Sequence, residues 1–339
     1  MKGLAGRLVL LVTSATAALA IAEFVLSRSP DTVEPIVSIH NYFQFNVLYG
    51  IEPKPNLVWD GFGFPIRTNS EATYGPEIRR DGTPIIMHLG DSYSVGIGVA
   101  YENNYPYLVQ EMVNARSLSK YQTIILGIGG SSPVQQEIIF RKKLTNLRPS
   151  LVVYQLYDND IVDDYVFRYS QYRAKMEVYE WIPRWLRGSA IAQKLYVFFS
   201  ERKTKEYADT YEATKNAIDP GVVWETLMRP ALEKIRSRAE RLGAAFLCFY
   251  IPNGWEIANE YAAKEATPLN PLHRLAKKWA TDNNVPYVDL YEPFVAVNTT
   301  QLNELYLDGT RGFHLNERGT KIAADHIYEL IETHQLLKK

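Results

Sequence analysis

The sequence predicts an α/β protein whose central parallel sheet is covered on both faces by helices. From about residue 83 onward, short apolar runs alternate with segments of helical pattern. The runs do not alternate apolar and polar residues as the strands of a half-exposed sheet do. Continuous apolar runs are typical of parallel strands buried on both faces. The helical segments supply the crossovers that parallel strands need. We therefore expect a three-layer α/β/α sandwich, with an N-terminal hydrophobic helix and a mostly helical insertion.

The predicted strands are each followed by a loop and then by a helical pattern. They are Pro84 to Leu89, Tyr121 to Leu126, Leu151 to Leu156, Ala245 to Ile251 and Pro286 to Leu290. The main helices are predicted at Asn104 to Ala115, Val134 to Leu147, Val222 to Leu242, Leu272 to Asn283 and Glu317 to Leu330. Pro133 before the second helix and Gly243 after the third fit the preference for proline at helix starts and glycine at helix ends.

Composition indicates an ordinary globular chain. The 339 residues are 46% hydrophobic and 22% charged, which is enough to form one large α/β domain. A formal net charge of -1 gives no overall attraction to nucleic acid, and we expect no nucleic-acid partner. The single cysteine, Cys248, excludes an intramolecular disulfide and is expected to be a buried apolar side chain.

The N-terminus has the pattern of a targeting segment. Lys2 and Arg7 precede the mostly apolar stretch Leu8 to Leu26, which in helical form has roughly the thickness of a bilayer. Ala18-Leu19-Ala20 could be the cleavage site of a removed signal peptide. The alternative, which we favour, is an uncleaved signal anchor in the cytoplasmic membrane. The basic residues then place the rest of the chain on the extracytoplasmic side, and cleavage would make the protein secreted or periplasmic.

The domain organisation follows from changes in composition. Residues 1–29 form the anchor or signal peptide, and residues 30–82, rich in proline and glycine without periodicity, form an irregular lead segment. Residues 83–335 form the main domain, with an insertion at about 163–220. The insertion is either a decorative subdomain or a lid whose aromatic rings stack on sugar or acyl groups. Specificity is expected from its aromatic side chains and from one after the fourth strand, namely Trp181, Trp185, Tyr196 and Trp255.

Gly90-Asp91-Ser92 follows directly after the first predicted strand. In an open parallel sheet, ligands bind beyond the carboxyl ends of the strands, where a strand-to-helix turn exposes side chains and backbone amides. A serine hydroxyl is a weak nucleophile, so it needs a base within hydrogen-bond reach and a third group that orients this base. Ser92 is therefore the candidate nucleophile.

His314 is the candidate base among the six histidines. It lies in a loop just before the C-terminal helix, with Asp308 six residues upstream. The other histidines lie within a strand, within a helix or without supporting context: His88, His326, His334, His40 and His273.

These residues resemble the sequence blocks of the SGNH or GDSL hydrolases, a family of flavodoxin-like fold, over about residues 83–332. The family's four blocks stand in order here as Gly90-Asp91-Ser92, the loop Gly127-Ile128-Gly129-Gly130, the pair Asn159-Asp160, and His314. The N-terminal apolar segment makes the chain similar to membrane-anchored bacterial members of the family.

The resemblance implies a serine esterase that works through an acyl-enzyme on Ser92 with His314 as base. It also implies an oxyanion hole made by the amides of Ser92 and Gly130 and the side-chain amide of Asn159. Cofactors and metals are not needed for this chemistry. The implied substrate is a small-molecule or glycan ester, such as an O-acetyl group on carbohydrate, and the alternatives are O-acyl transfer to a glycan hydroxyl or an inactive binding module. The resemblance says nothing of the oligomeric state.

Two positions depart from the family pattern. Tyr157 stands where the third block has a glycine, and Arg311 stands three residues before His314, where the family has aspartate. Either Asp308 orients His314 from a loop longer by three residues, which is the reading we favour, or another group such as a backbone carbonyl does so. Asp91 and Asp160 are expected to hold their loops through backbone hydrogen bonds.

Rival classes of site are poorly matched by the sequence. The run Gly127 to Ser132 breaks the Gly-x-Gly-x-x-Gly spacing of dinucleotide sites, and the chain has no phosphate-binding Gly-x-x-x-x-Gly-Lys run. No pair of histidines has the spacing of metal ligands on a helix. The nearby carboxylates suggest a solvated loop end rather than a cation site: Asp158, Asp160, Asp163 and Asp164.

Overall fold

The computed structural model describes residues 2–28, 36–38, 42–60, 63–143, 147–254, 256–257, 271–297, 304–307 and 314–337. The strands, in chain order, are β1 Ile36–Ser38, β2 Phe43–Asn46, β3 Gly50–Pro53, β4 Val58–Asp60, β5 Pro65–Arg67, β6 Ile85–Leu89, β7 Gln122–Ile125, β8 Pro149–Tyr157, β9 Ala245–Ile251 and β10 Tyr287–Asp289. The helices are α1 Lys2–Leu26, α2 Ser92–Val95, α3 Tyr105–Arg116, α4 Pro133–Lys143, α5 Asp160–Arg168, α6 Gln171–Trp181, α7 Ala190–Thr214, α8 Pro220–Val223, α9 Arg229–Arg241, α10 Pro271–Asp282, α11 Tyr291–Val297 and α12 Glu317–Thr333.

The central sheet has the strand order β10-β9-β8-β6-β7, and its neighbouring strands are all parallel. After β6 the chain forms the edge strand β7 and then crosses back to β8 on the other side of β6. The crossovers therefore reverse direction between β6 and β8, and an open α/β sheet has its ligand crevice at such a switch point. The predicted parallel sheet is confirmed, and Ser92 follows one of the two strands that border the crevice.

Apolar layers cover both faces of this sheet. Alternate residues of β6 point to opposite faces, so that Met87 packs in one layer and Ile86 in the other. The first layer also contains Trp224 and Leu232, and the second contains Ala323 from α12. Both faces are thus sealed by helices, which confirms the predicted three-layer arrangement.

The helix predicted from Val222 to Leu242 is interrupted. It consists of α8, a π-helical turn at Trp224–Met228 and then α9. Pro230 in the first turn of α9 has no amide hydrogen to donate to the preceding turn, and such a position favours a local change of helical pitch. The other predicted helices of the main domain agree with the structure within a few residues; α4 is described as far as Lys143, and residues 144–146, at its predicted end, lie outside the described residues.

The lead segment is more ordered than the sequence predicted. Strands β1, β2 and β3 form an antiparallel sheet, and β4 pairs with β5. Tyr74 forms an antiparallel bridge with Ile125, so this segment lies against the free edge of β7. Strands of three or four residues are too short to show a period in the sequence, which explains why no strands were predicted here.

Helix α1 lies at the N-terminus, where an apolar segment was predicted. Its Glu23 carboxylate accepts hydrogen bonds from the Ser189 hydroxyl at 2.7 Å and from the amides of Ala190 and Ile191 at 2.6 and 3.1 Å. Those amides belong to the first turn of α7, where a carboxylate satisfies unpaired donors. The pKa of Glu23 is lowered, chiefly by the hydrogen bond from Ala190.

Within the ranges given above, no helix combines the length and the apolar character needed to cross a bilayer. The membrane anchor stays a prediction. The cellular location of the main domain stays a prediction.

The insertion consists of α5, α6 and α7, in agreement with the predicted helical character. Tyr196 is buried in a cluster with Phe45 of the lead segment and Ile138 of α4, so its role is packing. Trp181 and Trp185 are exposed, with 60% and 82% of their surface accessible. Trp255 lies outside the described residues.

Candidate active site

The nucleophile position is a sharp corner between β6 and α2. Strand β6 ends at Leu89 and α2 begins at Ser92 itself, with the Asp91 carboxylate accepting a hydrogen bond from the Tyr93 amide at 2.9 Å. Gly90 has φ of +147°, and a Cβ there would lie 2.3 Å from Oε1 of Gln155. Only glycine fits this corner, and the corner is what turns Ser92 out beyond the end of the sheet.

Two buried glutamines hold this corner in place. Gln155 Oε1 accepts a hydrogen bond from the Asp91 amide at 3.0 Å. The Gly90 carbonyl accepts hydrogen bonds from Gln136 Nε2 at 2.8 Å and from the Ser131 hydroxyl at 2.9 Å. Sequence reasoning missed both glutamines. The sequence did contain a signal for them: one glutamine lies inside the apolar run of β8, and the other lies on α4. A buried side-chain amide needs hydrogen-bond partners, so such a residue indicates a structural contact.

His314 lies within hydrogen-bond distance of Ser92. Its Nε2 is 3.1 Å from the Ser92 hydroxyl oxygen, across 222 residues of sequence. The loop that carries it is tied down by an antiparallel bridge between Tyr306 and Leu315, and by the Leu307 amide, which donates to the His314 carbonyl at 2.9 Å. Burial lowers the pKa of His314, so the neutral imidazole that can accept a proton is favoured.

Tyr157 stands at the position of the family's glycine and packs against Tyr93. Its ring lies 4.4 Å from the ring of Tyr93, and Tyr93 in turn lies 5.6 Å from the ring of His314. Both tyrosines are buried, with only 4% of their surface accessible. The departure from the family pattern therefore places a second tyrosine ring behind Tyr93, the ring beside His314.

The loop after β7 approaches Ser92 from the edge of the sheet. A Cβ on Gly127 would lie 2.8 Å from the Ser94 Cβ, and a Cβ on Gly129 would lie 3.8 Å from the Ser92 Cβ. Gly130 adopts a φ of +71°, which favours glycine because it lacks a Cβ. The structure thus places Gly129 of the predicted loop beside Ser92, and Gly130 is the next residue along this loop.

Asn159 follows β8, the strand on the other side of β6. It immediately precedes α5, yet its side chain makes no capping hydrogen bond with that helix. Its Oδ1 is buried without a hydrogen-bond partner among the described residues. Its Oδ1 is therefore not used as a helix cap, which distinguishes Asn159 from an ordinary N-cap residue.

Asp308 and Arg311, the two candidates discussed for the orienting position, lie outside the described residues. The role of Asp308 stays a prediction.

The carboxylates around these loops act on the backbone. Asp160 accepts a hydrogen bond from the Tyr157 amide at 2.9 Å, and Asp164 accepts one from the Val134 amide at 2.9 Å. Burial raises the pKa of Asp91 and Asp160, and it raises the pKa of Asp164 to about 7. The structural roles predicted for Asp91 and Asp160 are confirmed. Within the described part of the chain, no group of three or more histidine, cysteine or acidic side chains is arranged to hold a metal ion.

Two other histidines are buried in the main domain. His88 is fully buried in β6, and burial lowers its pKa to about 3. His273 is 2.5 Å from Asp289 through Nε2 and stacks on Tyr250, with ring centroids 5.1 Å apart. Both are packing residues of the sheet layers.

The sequence matches one family model, described as the GDSL-like lipase/acylhydrolase family, over residues 88–322. No curated protein matches the sequence. The chain is similar in structure to TesA, with 14% identity, 75% of this chain and 99% of that chain covered, and a TM-score of 0.43.

Two esterase structures are similar to the same degree. An acetyl xylan esterase, AlAXEase, is 17% identical, with 73% of this chain and 99% of that chain covered and a TM-score of 0.43. A catalytic mutant of Axe2, an acetylxylan esterase from Geobacillus stearothermophilus, is 14% identical, with 76% and 97% covered and a TM-score of 0.44. These likenesses are too distant to say anything about the substrate of this chain.

The Gly90 corner generates a prediction about stability. We expect Gly90→Ala to lower the free energy of unfolding by about 2–4 kcal/mol, because a Cβ at this φ is strained and also collides with Gln155. Chemical denaturation measures the loss. The matched control is Gly82→Ala, where φ is also positive, at +87°, but a Cβ would meet no atom within 4 Å.

The control should lose about 1 kcal/mol from backbone strain alone. Equal losses in the two variants would show that the contact with Gln155 does not constrain the corner.

Proposed function

Since this chain belongs to the GDSL-like lipase/acylhydrolase family, whose model matches residues 88–322, we propose that it is a serine esterase that forms an acyl-enzyme on Ser92. The protein is an ester-hydrolysing enzyme, as the family is. The observation that carries the proposed mechanism is the 3.1 Å approach of His314 Nε2 to the Ser92 hydroxyl at the crevice of the sheet.

In the first half-reaction, His314 takes the proton from the Ser92 hydroxyl as the oxygen attacks the ester carbonyl. A tetrahedral intermediate forms, with its negative charge on the former carbonyl oxygen. When the intermediate collapses, the ester C–O bond breaks, and the imidazolium of His314 gives its proton to the leaving alcohol. The acyl group is then bonded to Ser92.

In the second half-reaction, water replaces the alcohol. His314 takes a proton from the water as its oxygen attacks the acyl carbon, and the proton returns to Ser92 when the carboxylic acid leaves. A neutral histidine is needed at the start of each half-reaction. Its burial favours that state, since the lowered pKa of His314 leaves it unprotonated near pH 7.

The oxyanion is proposed to be bound by the amides of Ser92 and Gly130 and by the side-chain amide of Asn159. These groups follow β6, β7 and β8, which are neighbours in the sheet, so they border the crevice from two sides. Donors placed in advance around the developing charge are usually the largest contribution to such catalysis. The position of Asn159 supports this assignment, because it follows β8 at the same end of the sheet at which Ser92 follows β6.

Asp308 is proposed as the group that orients His314. A buried imidazole needs a partner on its second ring nitrogen to hold the correct tautomer and to stabilise the imidazolium. Asp308 is six residues before His314 in the sequence. Its carboxylate reaches the second ring nitrogen of His314 when the loop between the two residues folds back.

The substrate is proposed to be a carboxylic ester of a small molecule or of a glycan, including O-acetyl groups on carbohydrate. Transfer of the acyl group to a sugar hydroxyl would use the same acyl-enzyme, with the hydroxyl in the place of water.

The first test is the nucleophile. We expect Ser92→Ala to abolish labelling by a fluorophosphonate and to reduce p-nitrophenyl ester hydrolysis to background, because the acyl-enzyme can no longer form. Labelling is followed by intact mass and hydrolysis by absorbance. The matched control Ser119→Ala removes an exposed serine hydroxyl and should keep both signals. Labelling of Ser92→Ala would contradict the proposal, whereas labelling of the wild type without hydrolysis would point to a transferase that awaits its acceptor.

The second test is the oxyanion donor. We expect Asn159→Ala to lower kcat about a hundredfold or more, as removal of a single oxyanion donor does elsewhere. Steady-state kinetics gives the value. The control Asn103→Ala removes an amide whose bond to Glu317 is exposed, and it should change kcat little. Full activity of Asn159→Ala would remove this residue from the oxyanion hole.

The third test concerns the acid that orients His314 and uses the pH profile of kcat/KM. Burial alone lowers the pKa of His314, whereas an adjacent carboxylate raises it. We therefore expect Asp308→Asn to move the acid limb of the kcat/KM profile to lower pH and to lower kcat by about 10⁴. The variant Arg311→Ala is the control, because it removes a neighbouring charge from the same loop. An unchanged acid limb in Asp308→Asn would show that another group orients His314.

A further inference from the structure

The lead segment and the main domain enclose a cavity of about 460 Å³ beside the nucleophile. Its lining comes partly from the lead segment and partly from the loops that follow β6 and β7. The lining residues are Tyr42, Phe43, Trp59, Asp60, Ile66, Tyr74, Val95, Ile97 and Gly129. The lead-segment residues of this set precede residues 88–322, so part of the lining lies outside the region that matches the family model.

The cavity lies next to Ser92. Gly129 is one of its lining residues, and a Cβ there would be 3.8 Å from the Ser92 Cβ. Val95 and Ile97 belong to α2 and the turn after it, so they lie within five residues of the nucleophile. A neighbouring cavity of about 500 Å³ shares the wall formed by Ile66, Tyr74 and Val95, but its lining does not include Gly129.

His314 and this cavity lie on opposite sides of Ser92. The imidazole packs on Tyr93, and Tyr93 packs on Tyr157 at the end of β8. The cavity instead includes Gly129 after β7 and Tyr74, which bridges to β7. Because β6 stands between β7 and β8 in the sheet, the histidine is on the β8 side and the cavity is on the β7 side.

The mechanism decides which part of an ester lies on each side. His314 must give a proton to the leaving alcohol, so the alcohol oxygen has to face the imidazole. The acyl substituent of the same carbonyl carbon points away from the alcohol. We propose that the cavity on the β7 side binds the acyl chain of the substrate and favours uncharged acyl groups longer than acetyl, which narrows the range of acyl groups proposed above. This inference rests on the proposed function of Ser92 and His314.

The chemistry of the lining supports an apolar occupant. Trp59 stacks on Tyr42 with ring centroids 5.2 Å apart and meets the Tyr74 ring edge-on at 5.8 Å. Ile66, Tyr74 and Val95 are buried and contribute further apolar wall. Asp60 is the single charged side chain among the lining residues that the structure describes, and it is exposed at the rim. An anionic acyl group would be repelled there.

The volume also suits an acyl chain of medium length. Small-molecule sites commonly enclose about 300–1,000 Å³, and this cavity is within that range. An acetyl group would leave most of it empty. Each methylene of a longer acyl chain that becomes buried strengthens binding of the transition state. One methylene more or less in a hydrophobic pocket typically changes kcat/KM by about tenfold or more.

The test compares two esters of the same alcohol, p-nitrophenyl octanoate and p-nitrophenyl acetate. We expect the wild type to have the higher kcat/KM on the octanoate, and Trp59→Ala to lower the octanoate-to-acetate ratio about tenfold by removing the aromatic wall. Ile97→Phe is a second variant at another part of the lining, and it should lower the same ratio by filling the cavity. Trp185→Ala is the matched control, since it removes an equal side chain that is 82% exposed in the insertion.

The inference is overturned if the ratio is unchanged in both Trp59→Ala and Ile97→Phe, or if Trp185→Ala lowers it instead. If hydrolysis is too slow to measure, the ratio of labelling rates by octyl and ethyl fluorophosphonates replaces it, with the same expected changes. Labelling of Ser92 at a rate that does not depend on chain length would contradict the acyl-pocket assignment but would agree with the proposed function. An absence of both labelling and hydrolysis removes the proposed function, and the pocket assignment with it.

Discussion

The site depends on one constraint, the hydrogen-bonded corner at the end of β6. Gly90 turns the chain where no side chain fits, and its carbonyl and the next amide are held by Gln136 and Gln155. Because these glutamines belong to α4 and β8, the corner cannot shift without disturbing both the helical layer and the neighbouring strand. Rigid support of this kind is what an attacking hydroxyl needs to stay within reach of its base.

The electrostatics of the site follow from the same burial. The crevice removes His314 from water, which keeps the imidazole neutral and able to accept a proton. Nearby carboxylates are buried too, and their raised pKa values show how little they are stabilised as charges. Their backbone hydrogen bonds order the loops that carry Asn159 and the turn before α4. These buried carboxylates therefore order the loops of the site, while the proposed reaction starts from a neutral His314.

The lead segment precedes the region that matches the family model and packs beside the candidate site. It pairs with the free edge of β7, which protects an edge that would otherwise be open. The same packing brings Trp59 and Tyr42 beside the loop of Gly129. The insertion, where the sequence suggested a platform of aromatic rings, has its Tyr196 in a packed cluster and its Trp185 in solvent. Aromatic content alone could not distinguish these two places.

The sequence by itself determined the parallel sheet, the identity of Ser92 and His314 as candidates, and the loops after three neighbouring strands. These features are readable because buried strands need unbroken apolar runs and because the corner needs glycine beside serine. Only the tertiary structure decided which distant residues meet. The approach of His314 to Ser92, the support from Gln136 and Gln155, and the cavity lined by Trp59 join parts of the chain far apart in sequence. Such contacts depend on how strands are ordered and how helices pack, and no local pattern of residues encodes either one.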